Sequence, residues 1–185
     1  MSRTVTTSRT VYTFDELSDS AKETARQDWS QFMWEDGSMQ EGVADMFENE
    51  MQARGWEDAE LRTYGLYVQG GYPTWRGTLP AFEHDGRPYV LTVTTRHSGG
   101  GSEHMSCEVE DAETTSDDVY GTPEWPAYLA RIEAAERAAK DMVYSLSVEL
   151  YRMIEAEDEY QSSEDMVRET AEANGYEYDE DGHLA

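Results

Sequence analysis

The sequence predicts an α+β fold, and three observations carry that expectation. Apolar residues recur at helical spacing near both ends, and between Glu60 and Glu110 the period changes to two. The apolar share of 38%, with five Trp, twelve Tyr and four Phe, is enough to build a core in a chain of 185 residues. With no linker or repeat, the expected organisation is a single domain over 1–185.

Residues 3–14 interleave Val5, Thr7 and Val11 with Thr4, Thr6 and Tyr12, a β-rich alternation that predicts a first strand. A helix is expected over about 19–35. Ser18 or Ser20 can cap it, and Ser20 with Glu23 three residues on makes a capping box. Its Ala21, Ala25, Trp29 and Phe32 share one face, and Gly37 ends it. A second helix over about 38–54 places Val43, Met46, Phe47 and Met51 together and stops before Gly55.

An antiparallel sheet of about three to five strands follows, marked by Leu61, Tyr67, Trp75, Leu79, Tyr89, Leu91 and Val93. Turns are expected at Gly70-Gly71-Tyr72-Pro73 and at His84-Asp85-Gly86, the second carrying a hairpin-type Asp-Gly pair. Gly99-Gly100-Gly101 reads as a loop between strands. No helix and no Lys follow it, so it has none of the parts that hold phosphate.

A long helix is predicted over about 123–159, starting at Pro123. Its Ala139, Val143, Leu146, Leu150 and Met153 step by four, three, four and three, which makes a core face or a self-association seam between copies. A short last helix runs over about 163–174, from a Ser163 cap to Asn174-Gly175, before an Asp181-Gly182 turn.

Charge is the strongest compositional signal. Forty acidic residues face fourteen basic ones, for a net charge of −26. Residues 103–185 hold 24 acids against 5 bases (net −19) and residues 1–102 hold 16 against 9 (net −7). Such a field repels nucleic acid and draws basic surfaces. The densest candidate surface for a basic partner is the group Glu149, Glu155, Glu157, Asp158, Glu159, Glu164 and Asp165. A solvated face or adaptation to high salt accounts for the same composition without any partner.

No apolar run reaches the roughly 18 residues of a membrane span, and the first residues lack a secretory leader. The expected location is therefore the cytoplasm. Cys107 is the single cysteine, so no internal disulfide forms. His97, His104 and Cys107 lie close enough in sequence to meet around a metal across a strand-loop-strand unit, but the spacing is unspecific. Asp179-Glu180-Asp181-Gly182 lacks the twelve-residue pattern of a calcium loop. No G-x-S-x-G turn occurs and no His has a diagnostic neighbour, so the expectation is a non-enzyme with no cofactor and no metal.

Two segments resemble a known group. Tyr12-Thr13-Phe14-Asp15-Glu16-Leu17-Ser18-Asp19-Ser20-Ala21-Lys22 is similar to the Y-x-F-D-E-L-S-x-x-A-K opening of a set of bacteriophage proteins. Leu150-Tyr151-Arg152, followed by Glu159-Tyr160-Gln161-Ser162-Ser163-Glu164 and Ala173-Asn174-Gly175-Tyr176-Glu177-Tyr178-Asp179-Glu180-Asp181-Gly182, resembles their closing segment, a helix pair ending in N-x-Y-x-F-x-x-D-G. In the middle, Leu66-Tyr67-Val68-Gln69-Gly70-Gly71-Tyr72 is similar to their strand and turn but lacks an S-Q-G-D-G core. The resemblance implies a viral origin and no particular activity. Joined to the charge, it gives the functional expectation: a viral acidic protein, of DNA-mimic or host-defence-inhibitor type, that engages a basic nucleic-acid-binding host protein. The alternative is an accessory or structural viral component.

Overall fold

The computed structural model describes residues 8–63, 72–98 and 102–185. The expected turn at Gly70-Gly71 and the triple glycine fall outside these residues. Helices precede and follow a four-stranded antiparallel sheet, as an α+β fold requires. Two compact units are distinguished by their internal contacts: residues 1–41 with 156–185, and residues 42–155.

The first unit joins the two ends of the chain. Tyr12 and Tyr178 exchange backbone N–H to O bonds, both 2.9 Å, so the strand expected over 3–14 is reduced, in its described part, to one bridge. The reason is local. Thr13 and Glu16 form a capping box that turns the chain into a 3-10 turn, Phe14–Glu16, before a ladder can extend. Helix α1, Asp19–Glu35, then starts from Ser18, whose hydroxyl accepts from the Ala21 backbone N–H at 3.2 Å. Ser18 is thus the cap, and Ser20 lies inside the helix.

Phe14, Leu17, Ala21 and Ala25 pack with Val167 and Ala171 of helix α5, Glu164–Asn174, and with Tyr178. Trp29 is half-buried beside them, while Phe32, its ring 5.6 Å from that of Trp29, is 48% exposed. Ser163 caps α5 by accepting from Met166 N–H, and Gly175 closes it in the left-handed conformation.

The second unit holds the sheet. Helix α2, Ser38–Ala53, supplies it with Val43, Phe47 and Met51, all buried. The strands β1 (Glu57–Thr63), β2 (Thr74–His84), β3 (Arg87–Ser98) and β4 (Ser102–Asp111) form a meander in chain order. Asp85 and Gly86 both take positive φ, 51° and 71°, which is the type I′ geometry whose twist matches the strands it joins.

A four-residue helix α3, Ser116–Val119, precedes the long helix α4, Trp125–Gln161. The expected start at Pro123 is delayed because Thr122 and Val119 close a turn first. One sheet face, with Trp75, Tyr89, Leu91, Val93, Cys107 and Val109, packs on α2 and α4. The buried Trp75 indole donates to Ser147 Oγ at 3.1 Å, and that hydroxyl donates to Val143 O, so neither polar group is stranded in the core.

This packing decides the α4 stripe. Ala139, Val143, Leu146 and Leu150 are buried in the core of this unit, and Met153 packs against it. The stripe is therefore consumed within one chain and offers no seam to a second copy.

Candidate functional site

Acidity is distributed unequally between the units. The first holds 19 acids against 5 bases (net −14) in 71 residues, and the second 21 against 9 (net −12) in 114. Within 156–185 eleven acids face Arg168 alone.

The seven carboxylates singled out above have different environments. In the second unit Glu149 receives a bidentate Arg54 guanidinium, at 2.9 and 2.6 Å, and that hydrogen bond holds its pKa below the ordinary value. Glu155 is exposed. In the first unit Asp158 is half-buried and accepts from Trp34 Nε1 at 2.8 Å and Ser30 Oγ at 3.2 Å, so it ties α1 to the end of α4. Glu157 accepts from Gln161 at 2.8 Å. Glu164 and Asp165 share Arg168, at 2.6 and 2.7 Å, and Arg168 also reaches Asp15 at 2.8 Å. Glu159 is exposed. Among the described residues, only Glu155 and Glu159 of the seven carry neither an ion pair nor a side-chain hydrogen bond.

Counting acids along the chain missed a more regular feature. Asp165, Glu169 and Glu172 step by four and three along the solvent face of α5, opposite buried Val167 and Ala171, and all three are exposed. Glu177, Glu180 and Asp181 follow in the tail, also exposed. The spacing was present in the sequence. It becomes informative only once α5 is seen to bury its other side.

The remaining candidates resolve through strand parity. His104 and Cys107 are three residues apart on β4, and alternation sends them to opposite faces: His104 is exposed and Cys107 buried. The backbone of His97 pairs with Glu103, four residues along β4 from Cys107, or about 13 Å. His104 and Cys107 therefore do not share one ion. Asp179 in the tail accepts backbone N–H bonds from Asp181 and His183, 3.1 and 3.0 Å, which hold its pKa low as a turn-former. In the second unit, burial works to raise the pKa of Asp111. The N–H groups of Glu113 and Thr114, with Arg131 at 3.3 Å, outweigh it and hold the carboxylate below its ordinary value.

No helix among the described residues is long and apolar enough to cross a membrane. No family model, curated protein or solved structure matches the chain.

Proposed function

We propose that this chain is a non-catalytic, virus-encoded acidic binding protein that engages a basic, nucleic-acid-binding protein of its host through the carboxylates of the first unit. The observation that carries the reading is the α5 face and tail, where Glu169, Glu172, Glu177, Glu180 and Asp181 are exposed in a stretch with one base. Glu159 adds to this charge, and in the second unit Glu155 adds to the general field. Carboxylates in a row present a basic protein with the same sign of charge as a phosphate backbone. Glu157, Asp158 and Glu164 contribute mostly to the fold, given their hydrogen-bonded partners.

The mechanism is steering followed by competition. A field of this sign raises the encounter rate of a cationic partner and occupies the surface that the partner would offer to nucleic acid. The test is capture from host lysate at low and moderate salt, with duplex DNA as competitor. The expected result is one basic protein held stoichiometrically and released by duplex DNA or by salt. Enrichment of no basic protein at either salt, or retention that duplex DNA leaves untouched, would contradict the reading.

A further inference from the structure

In the second unit an aromatic ladder lies at the start of α4. Tyr120 meets the Trp125 ring edge-on at 5.2 Å, Trp125 stacks on Tyr128 at 5.7 Å and 14°, and the Arg131 guanidinium lies over Tyr128 at 5.5 Å. The ladder is anchored below, since Tyr128 is buried and Arg131 is tied to Asp111. Its upper end is open. Tyr120 is 73% exposed, Trp125 is half-buried, and Leu129, one turn on, is 39% exposed. An exposed Tyr against a half-buried Trp, with an Arg close by, has the composition of an interface hot spot.

The surrounding charge identifies the occupant. Residues 108–124 contain seven acids and no base. Asp111 and Asp118 are engaged, the first by Arg131 and the second in capping α3, while Glu110, Glu113, Asp117 and Glu124 are exposed. Burial first, and then the nearby carboxylates of Asp111, Glu110 and Asp118, push the Tyr128 hydroxyl above its ordinary value, so acids converge on the ladder. The innermost aromatic already carries a guanidinium on its face. A second copy of a chain at net −26, like a nucleic acid, is repelled.

We propose that Tyr120 and Trp125 form a docking surface for an arginine-bearing segment of a protein partner, the guanidinium stacking on the exposed Tyr120 ring at the edge of Trp125 and flanking bases meeting Asp117 and Glu124. The proposal rests on the reading that the partner is basic and adds where and by what chemistry the second unit would contact it. Arginine is favoured over lysine because its planar cation stacks on rings.

The test uses two labelled peptides, arginine alternating with glycine and lysine alternating with glycine, titrated by fluorescence anisotropy at low salt. The wild-type protein is expected to bind the arginine peptide roughly five- to tenfold more tightly than the lysine peptide. Tyr120→Ala is expected to remove that preference with an unchanged melting temperature, and Tyr120→Phe to keep it. Asp117→Asn with Glu124→Gln is expected to weaken both peptides by about the same factor, roughly two- to fivefold. Equal binding of both peptides by the wild type, or a preference that survives Tyr120→Ala, overturns this site and leaves the basic-partner reading standing. Failure of both peptides to bind overturns the two together.

Discussion

Gly182→Ala is expected to destabilise the first unit by about 3 kcal/mol or more. Gly182 sits at φ +97°, and a Cβ there would lie 2.0 Å from the carbonyl oxygen of Ala21, 2.8 Å from its carbonyl carbon and 3.0 Å from its Cα. Those atoms are backbone in the buried first turns of α1, so relief requires the whole tail to lift. The tail is held by the Tyr178 bridges to Tyr12 and Leu184 and by the Ala185 N–H to Glu177 O bond. The control is Gly175→Ala, at φ +67° with nothing within 4 Å, where only the left-handed cost of about 1–2 kcal/mol applies. Thermal unfolding with hydrogen exchange at Tyr12 and Tyr178 separates the two. Equal losses for both variants would show that the tail does not pack on α1 as described.

Leu146→Asp is the second large effect, at about 4 kcal/mol or more, since it places an unpaired carboxylate in the core of the second unit and leaves a void where the side chain was. Leu146 is 6% exposed and lies in the cluster with Trp75 and Leu91. Ser145→Asp, one residue earlier on the same helix and exposed, is the matched control and should cost within about 1 kcal/mol. Sedimentation of the wild type should show no dimer formed through this stripe. An unchanged melting temperature for Leu146→Asp would mean that this face is not core.

These two positions show what the sequence made legible. The α4 stripe was readable from steps of four and three, and the Asp85-Gly86 hairpin from turn chemistry, because both are local. Helix α1 was bounded by Ser18 and Gly37 for the same reason. The division into two units was not legible, since joining Tyr12 to Tyr178 leaves no periodic trace. β-Propensity in the opening residues was outweighed by the Thr13 and Glu16 cap. Phe32 had the right spacing for burial but is 48% exposed, because spacing assigns a residue to a face and does not say how much of that face another element covers.

The candidate carboxylates were legible as charges and not as roles. Asp158 looks like its neighbours until Trp34 and Ser30 are seen to donate to it. Arg168 links Asp15, Glu164 and Asp165 and so withdraws three carboxylates from any partner. The separation of His104 from Cys107 could have been read in advance, because an odd offset on one strand always divides the faces. The opening and closing segments of the chain also meet. Phe14, Leu17 and Ala21 of the opening pack with Tyr178 of the close, and Gly182 lies on the Ala21 carbonyl.

The central claim is that charge on the first unit drives association with a basic partner, and stopped-flow association rates with the captured protein test it most directly. Glu159, Glu169, Glu172 and Glu177 changed together to Gln should slow association by about tenfold and flatten its salt dependence, with folding intact. An equal neutralisation in the second unit, at Glu48, Glu57, Glu83 and Asp141, should change the rate by less than about twofold. Equal losses from both sets, or no loss from either, would show that the acidity serves solubility or salt adaptation and that the first unit is not a docking surface.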